Sequence, residues 1–300
     1  MGETELSDTD IPRANETPAE CVARIDASAT RREIDCGDGA MVWRIFGDGP
    51  PLVLLHGGHG SWTHWIRNVT ALARCYTLYV MDLPGFGESD APPAPADGEE
   101  MARIVCDSID ALIPAPARYD IAGFSFGGIV GGLVAARHGN RVGQIVIIGS
   151  SGLGLPSGGF TGLRKWTPDM GDDALMDVHR NNLGVIMIAD PGRIDALALH
   201  LQKENTLRAR AKSSSIARSD ALRRALPDIR ARLICLAGEH DVYVVRNLEA
   251  RRKLFREAQP DAPFRMVPGA GHWALYEAPD LFNAMLLELL GEQNLSAGTA

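Results

Sequence analysis

The sequence predicts an α/β protein: a mostly parallel central sheet flanked by helices, with a helical cap inserted between its two halves. Three observations carry that expectation. Over residues 31–150, the first half of the core, short apolar β-rich runs alternate strictly with runs of helical spacing. Residues 151–227 then open on a glycine-rich exit and read as helical, with no strand-like run. From residue 228 the alternation resumes and continues to 291.

Taken in order, "MVWRIF" and "LVLLHG" are the first two strands, followed by a helix over "WIRNVTALAR" and a strand over "CYTLYVMD". "MARIVCDSIDALI" has helical spacing, "RYDIAG" is a strand, "FGGIVGGLVAARHG" is a helix stopped by glycine, and "VGQIVIIG" is a strand. Strands apolar on both faces belong in a sheet covered on both sides. The inserted segment leaves through "SSGLGLPSGGF"; Asp190 and Pro191 then suit the start of a helix whose apolar stripe is Ile194, Leu197, Ala198 and Leu201. Its roughly 75 residues are too many for a loop and suit a cap. "ARLICLAGEHD" restores the strand pattern, followed by a helix over 245–258, the strand "FRMVPG" and a helix over 280–290. Residues 1–30 lack aromatics and periodicity and are expected as a mobile tail, with a second short tail over 292–300. "APPAPADG" reads as a surface loop.

Composition bounds the function. Apolar residues make up 45% of the 300 and charged residues 23%, enough for a full core in one large domain with an insertion. A net charge of −8 argues against a nucleic-acid partner. No apolar run approaches bilayer length, and the acidic, polar start is neither a signal nor a transit peptide, so a cytoplasmic protein without a membrane partner is expected. Cys21, Cys36, Cys75, Cys106 and Cys235 are odd in number and scattered, which suits buried reduced thiols better than disulfides or a zinc site. The oligomeric state stays open, a homo-oligomer included.

The strongest chemical signal is "GFSFGG" at 123–128, directly after a strand and before a helix. In G-x-S-x-G the serine sits on a sharp strand-to-helix turn, where flanking side chains would clash. A nucleophilic Ser125 needs a base and an orienting acid. Asp241, after the strand "LICLAG", supplies the acid and His272, after "FRMVPG", the base, in the chain order serine, acid, histidine. Glu239 is the rival acid two residues earlier, and His240 the rival base. An oxyanion forming at the substrate carbonyl needs two N–H donors. Phe126, after the nucleophile, and Gly58, in "LLHGGHG", are the candidates. His56, His59 and His64 crowd the same stretch, yet no carboxylate or cysteine completes a metal set, so no metal is expected and His56 reads as a loop brace.

These stretches, "HGG" at 56–58, "DLPGFGES" at 82–89, "GFSFGG" at 123–128, "GEHD" at 238–241 and "GHW" at 271–273, together resemble the α/β-hydrolase superfamily from about residue 41 to 290. The resemblance implies the α/β-hydrolase fold, the triad and oxyanion roles just named, no cofactor, and a helical cap over the nucleophile. "GHWALYEAPDLFN" is similar to the carbon–carbon hydrolases of meta-ring-fission products, where tryptophan follows the histidine. Those enzymes usually carry a "GPG" turn and an asparagine before the nucleophile, where this chain has "GHG" and Phe124. A serine esterase acting on a small-molecule ester is therefore the leading expectation, carbon–carbon cleavage of a dienoate the second, and a non-catalytic ligand-binding fold the third.

The substrate pocket is expected between sheet and cap. Gly57 on the glycine loop and Trp62, Trp65, Phe124, Trp166, Met187 and Trp273 are candidate walls, although core packing explains the aromatic ones equally well. Arg180, Arg193, Arg208, Arg210 and Lys212 lie along the cap. Most such charges are solvated; the sharper expectation is that Arg193 or Arg208 reaches inward to a substrate carboxylate, favouring an acidic monoester.

Overall fold

The computed structural model describes residues 11–35, 39–92, 97–156, 159–167 and 169–296. The chain enters through helix α1 (Pro18–Ala27), then forms strands β1 (Thr30–Asp35), β2 (Ala40–Phe46) and β3 (Pro51–Leu55). A short helix α2 (Val69–Leu72), β4 (Thr77–Met81), α3 (Gly98–Leu112), β5 (Tyr119–Phe124), α4 (Phe126–His138) and β6 (Val142–Ile148) follow. Four helices, α5 (Asp172–Ile186), α6 (Ala196–Arg208), α7 (Ser214–Ala217) and α8 (Ala221–Ala225), separate β6 from β7 (Arg232–Gly238). The chain closes with α9 (Leu248–Ala258), β8 (Phe264–Val267), α10 (Ala274–Glu277) and α11 (Pro279–Ser296).

The eight strands form one sheet in the order β1-β2-β4-β3-β5-β6-β7-β8. Only the pairs β1–β2 and β2–β4 are antiparallel. Strand residues divide by parity between two cores, as a pleated sheet buried on both faces requires. Val53, Leu55, Ile121, Ile145, Ile147 and Leu233 face one core with α3 and α4. Leu52, Leu54, Ala122, Val146, Ile148 and Ile234 face the other with α10 and α11. α4 is apolar around its circumference, with Phe126 through Ala135 all buried, because it lies between the sheet and the outer helices α3 and α8.

The parallel register fixes where the strands end. Leu55 pairs with Gly123, Phe124 with Ile148, Ile148 with Leu236 and Gly238 with Val267. The loops after β3, β5, β7 and β8 therefore emerge along one rim, beneath the helices inserted between β6 and β7.

Several expectations need correction. Residues 18–27, expected within a mobile tail, form a helix opened by a Thr17–Glu20 capping box and anchored by buried Cys21 and Ile25. A reciprocal cap and two buried side chains suffice where aromatic residues are missing. β1, which begins on the expected tail's last residue, Thr30, extends the sheet edge antiparallel to β2. The helix expected over "WIRNVTALAR" is a 3-10 turn (Trp62–Trp65) followed by only one α-turn. Asp190 and Pro191 open a single 3-10 turn, and Asp195 caps α6 instead. The last helix runs to Ser296, into the expected C-terminal tail. Cys75 is exposed rather than buried, and Cys36 lies outside the described residues. No helix among the described residues is long and apolar enough to cross a membrane.

Candidate active site

The turn that carries Ser125 is built by the glycines around it. A Cβ on Gly123 would lie 2.5 Å from the Gly127 carbonyl oxygen, and one on Gly127 would lie 2.5 Å from the His56 carbonyl oxygen. Only hydrogen fits at both places, so the helix can start hard against β3 and β5. Ser125 between them is held at φ 52°, ψ −114°, a backbone region that L-residues visit at a cost of about 1–3 kcal/mol. Its N–H donates to Ile148 O at 2.7 Å, and the fully buried start of α4 secures the other side. The strained turn lifts the hydroxyl to the rim.

There the structure brings Ser125, His272 and Asp241 together. His272 Nε2 lies 2.9 Å from Ser125 Oγ, and His272 Nδ1 lies 2.8 Å from Asp241 Oδ2. A carboxylate only accepts, so Nδ1 carries the imidazole proton and Nε2 is left to accept from the serine hydroxyl. Asp241 is fully buried, and its other oxygen accepts from the Tyr243 N–H at 2.8 Å. The imidazole is flanked by Phe124 and Tyr243, with ring centroids 5.0 Å and 4.5 Å away. Burial, with Asp241 adding to it, pushes the Tyr243 hydroxyl up to about 12, so this wall stays uncharged. The rivals point elsewhere: Glu239 is exposed and accepts from the Gly269 N–H, and His240 is exposed as well.

His56, His59 and His64 do not converge; among the described residues no three metal-ligating side chains do. The His56 Nδ1–H donates to Gly57 O at 2.7 Å, while Nε2 accepts the Leu83 N–H at 2.9 Å. His64 Nδ1 accepts the Gly57 N–H at 3.1 Å. Both rings are thus neutral braces of the glycine loop. Burial, then repulsion from neighbouring imidazoles, holds His64 well below the ordinary imidazole range. With the Gly57 N–H occupied, the N–H groups of Gly58 and Phe126 have no protein acceptor among the described residues, and both residues line the cavity at Ser125. The cap presses on this loop: a Cβ on Gly58 would lie 2.6 Å from Ser213 Oγ.

That cavity, about 540 Å³, lies between rim and cap. Of the expected walls it receives Gly57, Phe124, Trp166 and Met187. Five others lie elsewhere. Trp62 sits under the Arg44 guanidinium, 4.8 Å from its ring centre, in a separate cleft. Trp273 is buried, stacks on Tyr276 and donates to His64 O, so it supports the histidine loop from behind. Arg208 turns to Glu204 and Glu88. Arg193 is exposed in the 3-10 turn before α6 and is not a cavity wall. Trp65 is also core, donating to Leu55 O. Of these only Arg208 stands on a cap helix, where spacing gives a face and packing decides which face meets the cavity; Trp65 and Trp273 are drawn into the core instead.

The walls missed from sequence include Phe160, Leu163, Arg164, Asn182, Gln202, Thr206, Arg218 and Tyr243. Tyr243 alone had a signal, being two residues beyond Asp241. Glu277 was missed too. Its buried carboxylate accepts N–H bonds from Ala189 at 3.0 Å, Asp190 at 2.7 Å and Gly271 at 2.7 Å, tying the cap to the His272 loop. "DLPGFGES" has a similar role: buried Asp82 accepts from Trp62 N–H, Glu88 N–H and Arg44.

Comparison with known proteins agrees with this architecture. Residues 52–285 match the alpha/beta hydrolase family. A 2-hydroxy-6-oxononadienedioate/2-hydroxy-6-oxononatrienedioate hydrolase of Paraburkholderia phymatum is 29% identical over 80% of this chain and 87% of its own. A pimeloyl-[acyl-carrier protein] methyl ester esterase of Vibrio atlanticus is 36% identical, over 37% of this chain and 40% of its own. Among solved structures, an esterase from Rhodococcus sp. ECU1013 superposes with a TM-score of 0.72 at 21% identity, covering 88% of this chain and 99% of its own. With its mostly parallel eight-stranded sheet and a family match across most of its length, this chain belongs to the alpha/beta hydrolase family.

Proposed function

We propose that this hydrolase cleaves a small-molecule carboxylic ester through an acyl-enzyme intermediate. One observation carries the reading: a hydroxyl on a strained turn, 2.9 Å from an imidazole nitrogen that can only accept its proton. Ser125 Oγ attacks the ester carbonyl carbon as His272 Nε2 takes its proton. Asp241 holds the tautomer and stabilises the imidazolium. The carbonyl oxygen, now an oxyanion, is held by the Gly58 and Phe126 N–H groups, each worth about 3 kcal/mol of barrier. His272 then protonates the departing alkoxide. A water, deprotonated by the same nitrogen, attacks the acyl carbon and releases the acid and Ser125.

A second reading, carbon–carbon hydrolysis of a dienoate, is favoured by likeness over most of the chain to relatives named for dienedioates. Against it, Trp273 of the shared "GHW" stretch supports the loop and is no cavity wall. The test compares p-nitrophenyl esters of varied chain length with a meta-ring-fission dienoate, on the native enzyme and Ser125→Ala. Ester turnover should fall by about 10⁴-fold or more in the variant, together with labelling by a fluorophosphonate. Undiminished ester turnover in Ser125→Ala removes the serine from the mechanism; a kcat/KM for the dienoate above that of every ester replaces the ester reading with the second.

A further inference from the structure

Beside the large cavity, whose wall carries Arg164 and Arg218, lies a smaller one in which arginines are denser. It is lined by Arg218, Arg246 and Arg251, and no aspartate or glutamate joins its wall. In a chain with 38 acidic and 30 basic residues, that is an unusual concentration. None of the three arginines forms an ion pair among the described residues. Nearby acids are occupied elsewhere: Asp220 pairs with Arg224 and Glu249 with Arg252.

Arg251 makes the imbalance costly. It is 6% exposed, gives its terminal nitrogens to the Ser150 and Tyr243 carbonyls, and leaves its buried Nε without a partner. Arg44, equally buried, shows how this protein otherwise satisfies such a group, with carboxylates of Asp26, Asp82 and Glu88 around it. A buried cation without a counter-charge is unfavourable by several kcal/mol unless something supplies one. Asp241 is the acid that Arg251 feels, but its two oxygens are already committed to His272 and Tyr243.

The annex opens onto the reactive centre. It shares Ser151, Phe160, Ala217, Arg218 and Tyr243 with the cavity that holds Ser125. Its volume is about 50 Å³ against about 540 Å³ for the main cavity, so it suits one end group of a ligand and not the whole of it. The Arg246 guanidinium lies 5.7 Å from the Phe160 ring centre, which holds it at the edge of the annex.

We propose that this annex seats a carboxylate at the far end of the substrate, so that Arg218, Arg246 and the charge of Arg251 select half-esters of dicarboxylic acids. The proposal rests on the ester reading and replaces the inward role expected of Arg193 and Arg208. The test uses the monomethyl esters of succinate through suberate, each against its dimethyl ester. For the best chain length, native kcat/KM should favour the half-ester by about tenfold or more, the scale of one charge-assisted hydrogen bond of about 1.5–3 kcal/mol. In the double variant Arg218→Gln/Arg246→Gln that ratio should fall to near one; both side chains are exposed, and Arg251, which braces two carbonyls, is left in place. A native ratio near one, or a ratio unchanged in the double variant, overturns the annex. Calorimetric binding of the preferred half-ester to Ser125→Ala, with and without the two arginine changes, separates the two claims. Loss of turnover on both esters with arginine-dependent binding would sink only the ester reading, whereas binding indifferent to the arginines would sink the annex.

Discussion

The rim of the sheet and the wall of the cap face the same cavity but are held in different ways. At the rim each side chain follows a strand whose register is fixed by its neighbours. Its orientation is then set by buried hydrogen bonds: Asp241 to His272 and to the Tyr243 N–H, His56 to Leu83 and Gly57, His64 to Gly57. The cap is pinned along its base, by Glu277 to residues 189 and 190, Asn205 to Ser61 and Thr63, Asp195 to Arg67 and Tyr276, and the Gly85 carbonyl to Arg210 and Ala211. Many of its cavity-facing residues, Leu163, Arg164 and Arg218 among them, are exposed on loops and short helices. On the proposed mechanism, the chemistry that needs close placement falls to the rim, and recognition, which tolerates adjustment, to the cap.

The contrast can be broken most sharply at Asp241. Asp241→Asn should leave the fold intact and lower ester kcat by about 10⁴-fold, because an amide in that place no longer fixes the Nδ1–H tautomer. Folding followed by circular dichroism alongside turnover checks both halves; a drop below tenfold would mean that the rim does not depend on this acid. Next comes the link between the regions. Glu277→Ala leaves three N–H groups without their acceptor and should cost about 3–5 kcal/mol in urea unfolding, with loss of activity as the His272 loop loosens.

A smaller effect is expected inside the cap. His179 is 1% exposed with neither ring nitrogen partnered, and burial lowers its pKa. The unfolded chain, titrating near pH 6.5, then binds more protons than the folded one as pH falls below that value, so the native state loses stability on acidification. His179→Leu should raise stability by about 1 kcal/mol at pH 8 and by more at pH 5, read as a flatter dependence of the melting temperature on pH. His56, His59, His64 and His138 shift in the same direction and keep part of the acid slope in the variant. Smallest is Trp166→Ala at the cavity wall. It should change KM several-fold for bulky esters and leave kcat within about threefold, since the residue touches no member of the triad.

Much of this was legible in the chain itself. Parity of apolar residues in "LVLL", "VGQIVII" and "LICLAG" shows strands buried on both faces, which requires helices above and below. "GFSFGG" marks a turn where only glycine fits, because the clash partners are backbone atoms dictated by the strand–turn–helix geometry. Residues placed just past parallel strands must meet at one rim, so Ser125, Asp241 and His272 could be brought together without coordinates. The sequence could not determine which face of each cap helix meets the cavity. Arg208 and Arg218 both stand at the C-terminal ends of cap helices, yet one pairs with Glu88 and the other lines the cavity, a choice made by contacts from distant parts of the chain. It also left Arg251 looking like an ordinary helix charge; only the packing of α9 against the loop after β6 buried it without a carboxylate. Local pattern determines periodicity and turn chemistry, whereas the pairing of long flexible side chains depends on which segments the folded chain brings within a few ångströms.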